Sequence, residues 1–228
     1  MSIKININEK RYEIPDRLTV EQYSKAIQFD WSDPKYYPMI VAQLTGAPIK
    51  QLILAEQDAM LLAIGFMVKA MNDRQKCKMI DLDSMTFGQF VDLDVYLTGG
   101  LDQNFSAIVD IIAPKARWAD EAMWAVDQYA DFRTYTYRRY SALFGLNERL
   151  TEAELEDDVP KTKDASARAW YKIIVGLANG DVLKLDDITD QPLTKMLNFM
   201  ALQKEQQLEE NQRKLKERRQ YDLSRNRR

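Results

Sequence analysis

The chain contains no histidine, one cysteine and, in 228 residues, only 8 glycines and 7 prolines. Without histidine there is no Ser-His-Asp or Cys-His triad, no imidazole-ligated zinc and no imidazole pH sensor. Cys77 alone can form neither an internal disulfide nor a thiolate cluster, and a lone thiol fits a reducing compartment. Scarce Gly and Pro favour long helices over a turn-rich β fold. Long apolar runs are missing too. The longest, around Met60 to Val68, is too short to cross a bilayer, so no membrane role is expected. The opening Met1-Ser-Ile-Lys-Ile alternates polar and apolar residues and has no secretory h-region.

What is present suffices for a core: 46% of residues are hydrophobic and 10% aromatic, with a net charge of −3. The charge is unevenly spread. From Lys204 to Arg228 nine Lys/Arg face five Asp/Glu, so this stretch carries +4 and the rest of the chain −7. An acidic body with a basic tail is the main electrostatic feature.

Periodicity gives an element order. Ile3, Ile5, Ile7, Tyr12 and Ile14 alternate with polar residues, which predicts a β-hairpin ended by Pro15. Thr19 and Gln22 have the spacing of a capping box, and a helix carrying Val20, Tyr23 and Ile27 follows. Asp33-Pro34 is a second helix start, with Pro38 as an alternative one turn later. Its stripe is Tyr37, Ile40, Val41 and Leu44, and Gly46 ends it. Pro48 opens a short helical turn over Ile49, Leu52 and Ile53. A longer helix over 57–72 carries Met60, Leu61, Ile64, Met67, Val68 and Met71 on a buried side. Met79, Ile80 and Leu82 tuck inward from a connector. Thr86-x-x-Gln89 is another capping box, and its helix runs to Gly99-Gly100. The next helix is stopped by Pro114.

A long aromatic helix spans about 120–144, with a weak point between Asp131 and Thr136. Glu152 to Asp164 is acidic and predicts an exposed loop. Ser166 is read as the cap of a helix that stops at Asn179-Gly180, and Asp187 or Thr189 as the start of the last helix. No convincing internal repeat stands out. The predicted fold is therefore mainly α: a multi-helix bundle with a short N-terminal β-hairpin and a protruding charged C-terminal helix. Its parts are a hairpin (1–16) packed on a helical body (17–149), an acidic loop (150–165), a C-terminal helical pair (166–203) and a charged arm (204–228).

Candidate chemistry is sparse. Asp81, Asp83, Asp92 and Asp94 are the best carboxylate cluster, but the calcium-loop template fails, and capping or solvated faces explain them better. Gly99-Gly100 and Gly180 match no phosphate-loop motif and read as helix stops. Cys77 lies between Lys76 and Lys78, which could lower its pKa, yet a bystander thiol is the better reading. No catalytic set, metal site or cofactor is expected. The aromatic run with Arg133, Arg138 and Arg139 could stack nucleic acid, but aromatics at helical spacing favour core or subunit interface, with Tyr137 and Tyr140 as partner contacts. Arg213, Lys214, Lys216, Arg218 and Arg219 are the candidate binding residues of the arm. Phosphates, an acidic partner, a neighbouring copy or solvent alone could face them. Interspersed Glu205, Glu209, Glu210 and Glu217 disfavour nucleic acid and suit i,i+4 pairs, Glu209–Arg213 and Glu210–Lys214.

The hairpin, Pro15 and Leu18-Thr19-Val20-Glu21-Gln22-Tyr23 resemble the start of tailed-bacteriophage tail and baseplate morphogenesis proteins. Met85-Thr86-Phe87-Gly88-Gln89-Phe90-Val91-Asp92-Leu93-Asp94 resembles the same group. So do Trp170-Tyr171, Leu177-Ala178-Asn179-Gly180-Asp181, Leu183-Lys184-Leu185-Asp186, Pro192-Leu193 and the charged tail. The acidic Glu152 to Asp158 insert departs from that pattern. The resemblance implies a non-enzymatic assembly chaperone that binds tail or baseplate proteins in the host cytoplasm. A minor virion subunit of the baseplate or neck is the alternative, and a nucleic-acid-binding packaging or regulatory protein a third. Homo-oligomers are compatible with each.

Overall fold

The computed structural model describes residues 3–7, 10–54, 57–144 and 162–225. The fold is mainly α, with one antiparallel hairpin at its start. Strands β1 (Ile3–Ile7) and β2 (Lys10–Ile14) pair with Ile3 opposite Ile14 and Ile7 opposite Lys10. Most of the acidic 150–165 segment lies outside the described residues. The chain forms two compact units. The first comprises Met1–Leu82, Val91–Phe132 and Pro160–Ala169; the second Asp83–Phe90, Arg133–Val159 and Trp170–Arg228. These units cut across the consecutive segments expected from sequence.

In the first unit, α1 (Val20–Ala26) opens on the expected capping box. Thr19 Oγ1 accepts from the Gln22 amide, and the Gln22 side chain accepts from the Thr19 amide. The start of α2 (Tyr37–Thr45) falls one turn after Pro34, because Asp33 and Pro34 form a separate 3-10 turn. Its stripe of Tyr37, Ile40, Val41 and Leu44 is buried, and Gly46 ends it at φ 70°, a conformation open to residues without a Cβ. Helices α3 (Ile49–Ile53) and α4 (Gln57–Asn72) follow. Met60, Ala63, Ile64 and Met67 of α4 are buried, but Leu61, expected inside, is exposed beside Leu62. The apolar residues of α4 exceed the width of its core face. Met79, Ile80 and Leu82 of the connector are half-buried, and the Ile80 amide donates to the Ile112 carbonyl at 2.8 Å. Helix α5 (Phe87–Thr98) begins in the second unit and ends in the first. In α6 (Leu101–Ile112), Phe105, Ile108, Val109 and Ile112 are buried, and Phe105 meets Tyr23 edge-on at 4.9 Å.

Helix α7 (Ala119–Arg139) is unbroken through 131–136, contrary to expectation; the break falls at Tyr140, before α8 (Ser141–Phe144). Thr136 is buried, so packing overrides its weak propensity. Helix α9 (Lys163–Leu177) starts earlier than expected. Thr162 caps it by accepting from the Ala165 amide at 3.2 Å, while Ser166 is buried inside the helix. Asn179 and Gly180, both at positive φ, stop it. Asp187 and Thr189 start nothing. They lie in a short helix, α10 (Leu185–Thr189), and the last helix, α11 (Leu193–Arg225), begins after Pro192. Leu193 can start it because its amide, otherwise orphaned at the helix start, donates to the Met85 carbonyl at 2.9 Å.

One device recurs. In the first unit the Val20 amide donates to the Arg117 carbonyl and the Ala119 amide to the Leu18 carbonyl, which bridges Thr19 to Trp118. In the second, the Phe87 amide donates to the Gln191 carbonyl at 2.8 Å and the Leu193 amide to the Met85 carbonyl at 2.9 Å, which bridges Thr86 to Pro192. Thr86 and Gln89 form the same reciprocal capping box as Thr19 and Gln22. The two sites share a six-residue pattern, Leu18-Thr19-x-x-Gln22-Tyr23 and Met85-Thr86-x-x-Gln89-Phe90. Each box joins the start of its own helix to the start of another. Replacing Thr19 or Thr86 by Ala should cost about 1 kcal/mol, lowering the thermal midpoint by about 2–4 °C in a chain of this size. Serine at either position should restore it.

Candidate binding surface

The second unit carries the residues singled out for partner binding. Its core is aromatic. Trp170 meets Phe87, Phe90 and Phe144 edge-on at 5.9, 6.1 and 6.2 Å, and Tyr137 stacks on Phe144 at 4.3 Å. Gly88 packs closely against Thr189 beside it. A Cβ there would meet Thr189 Cβ at 3.0 Å and the Thr189 carbonyl oxygen at 3.2 Å. Tyr140 is buried and donates its hydroxyl to Asn198 Oδ1 at 2.7 Å, so it belongs to the core and not to a partner surface. Tyr137 is half-buried, with the Arg133 guanidinium 4.7 Å above its ring. The i,i+3 and i,i+4 spacing that suggested an interface fits packing between α7, α8, α9 and α11.

Helix α11 leaves this core by steps. Leu193, Met196, Leu197 and Met200 are buried. Lys204 then donates to the Leu143 carbonyl at 2.9 Å, capping the end of α8. From Glu205 to Arg219 every residue is exposed. Arg213, Lys214, Lys216, Arg218 and Arg219 therefore stand together on one exposed helix, as the sequence placed them. Lys214 pairs with Glu210 at 2.7 Å as expected, and this bond holds the Glu210 carboxyl below its ordinary pKa. Arg213 pairs forward with Glu217 at 3.8 Å, not with Glu209 as expected. Sequence reasoning did not mark Leu215, which is 51% exposed on the same helix, as is Leu208. Their spacing of seven residues was the available signal.

The remaining candidates stay apart. Asp81, Asp83 and Asp92 are exposed and Asp94 is buried. Among the described residues no three acidic or thiol side chains gather as a metal site. No described helix is long and apolar enough to cross a membrane. Partial burial and the Glu121 charge push the Cys77 thiol up, opposite to the lowering expected from its lysine neighbours; Sγ sits 3.4 Å from the Glu121 carbonyl. A cleft of about 460 Å³ in the first unit is lined by both signs of charge, with Lys69, Asp73 and Lys76 around the Arg17–Asp120 pair. Arg17 grips both oxygens of buried Asp120 and one of Glu121, so these charges are mutually satisfied.

Compared with known proteins, the chain matches no family model, no curated protein and no solved structure. What the site can do rests on its own chemistry: an exposed, charged helix held at its base by a packed aromatic unit.

Tyr140→Phe removes the donor to Asn198 and should cost about 1 kcal/mol in urea unfolding. Tyr140→Asp buries a charge and should cost several kcal/mol; an unchanged midpoint would show that Tyr140 is not core. Cys77 should react with iodoacetamide at pH 8 more slowly than a free cysteine thiol, because less of it is thiolate.

Proposed function

We propose that the protein is a non-enzymatic factor in tailed-bacteriophage tail or baseplate assembly that works by binding other proteins in the host cytoplasm. The observation that carries this reading is α11, packed from Leu193 to Met200 and exposed from Glu205 to Arg219. A helix with one half seated and the other bare is suited to engaging a second protein. The resemblance of the hairpin, the two Thr-x-x-Gln segments and the Trp170-to-Leu193 block supplies the biological setting. Val182 and Leu183 favour a second reading, a resident virion subunit. They are 72% and 89% exposed, and bare apolar side chains suit a permanent contact. Nucleic-acid binding is less well supported, since Arg213 and Lys214 already face Glu217 and Glu210.

Quantitative mass spectrometry of mature particles and of the lysate that made them tests the reading. Abundance in the lysate with absence from the particle is expected for a chaperone, and a fixed copy number in the particle for a subunit. Full chain used as bait should retain a tail or baseplate protein, and removal of the segment after Leu208 should weaken that complex without unfolding the body. Absence from both particle and complex would overturn the proposal.

A further inference from the structure

Helix α11 carries one stripe past the point where its own unit stops covering it. Leu193, Leu197, Met200 and Lys204 lie on a single face, and the next residues on that line are Leu208, Asn211 and Leu215. The three apolar residues of the first group are buried, whereas Leu208 and Leu215 are exposed. One flank of this seam reads Glu205, Glu209, Gln212, Lys216, Arg219, at steps of four and three. It is acidic at one end, basic at the other and amide at its centre. Among the described residues, none of its four charged members enters an ion pair within the chain. The intrachain pairs, Glu210–Lys214 and Arg213–Glu217, lie on the opposite face.

A flank ordered in this way complements itself when reversed. A second copy running antiparallel and turned about Gln212 sets its Leu215 beside Leu208. It brings its Arg219 level with Glu205 and its Lys216 beside Glu209, and the twofold axis repeats each contact. A parallel pair would instead set the two acidic ends level with each other, and likewise the two basic ends. The overlap, residues 205–219, is about 20 Å of helix, and it is the stretch that the unit leaves bare.

We propose that the exposed half of α11 is a homodimerisation element in which the arms of two copies pair antiparallel through the Leu208–Leu215 seam and the Glu205, Glu209, Lys216, Arg219 flank. The proposal rests on reading α11 as a binding helix, not on the assignment to phage assembly.

Sedimentation equilibrium of the full chain should show a monomer–dimer equilibrium that weakens as salt is added. Glu205→Lys with Glu209→Lys should raise the dimer dissociation constant about tenfold or more, and so should Lys216→Glu with Arg219→Glu. An equimolar mixture of the two variants should recover a heterodimer. In a Cys77→Ser background, Leu208→Cys mixed with Leu215→Cys should form a mixed disulfide. Neither should link to itself, because like positions lie about 9–12 Å apart along the antiparallel pair. A monomer throughout the micromolar range, a dimer indifferent to both reversals, or self-linking of each cysteine variant would overturn the proposal. A monomer that still loses a tail-protein complex on removal of the segment after Leu208 would overturn the dimer and leave the assembly role standing. A dimer without any tail partner would do the reverse.

Discussion

Backbone pairing between helix starts is the constraint on which the rest of this structure depends. A helix begins with unpaired amides, and an isolated two-residue bridge is weak. Here the two are solved together. Thr19 and Thr86 each accept from the third helical amide and are bridged to a residue before another helix. In the first unit this ties α1 to α7; in the second it ties α5 to α11. The residues around each box are packed as well: Leu18 and Tyr23 in one, Met85, Phe87 and Phe90 in the other. Hydrophobic burial around these bridges keeps water from competing for those bonds.

The second of these junctions governs what the C-terminal helix can do. The Phe87–Gln191 and Leu193–Met85 bonds fix its first residue, Tyr140 and Asn198 join one turn further on, and Lys204 closes the end of α8. Beyond Lys204 the helix relies on local terms. From Leu193 to Arg225 it contains no Gly and no Pro, and the pairs Glu210–Lys214 and Arg213–Glu217 add modest support. A helix seated at one end and locally stable at the other can present a side-chain pattern in fixed order, which a frayed tail cannot.

Much of this was legible in the residues. Both capping boxes, the Tyr37-to-Leu44 stripe, the Gly46 stop and the Leu193-to-Met200 face follow from spacing and local chemistry alone. Two misreadings share one cause: tertiary contacts outweighed local preference. Buried Thr136 carries α7 through a stretch of weak propensity, and backbone pairing to Met85 places the start of α11 at Leu193, where Asp187 or Thr189 was the start expected. The exposed C-terminal helix was marked by its net charge, yet net charge concealed its order. Counting Lys and Arg against Asp and Glu says nothing of which face each occupies, and only the exposed seam of Leu208 and Leu215 gives the Glu205-to-Arg219 flank a reference line.

Residue-resolved hydrogen exchange on the full chain tests the central claim most directly. If paired helix starts hold the fold and seat α11, the Phe87, Leu193, Val20 and Ala119 amides should exchange only through global unfolding, as slowly as the amides of buried Phe90 and Ile108. Protection along α11 should fall beyond Lys204. Exchange of those four amides as fast as that of the arm would contradict the account, because the junctions would then be consequences of packing and not its anchors.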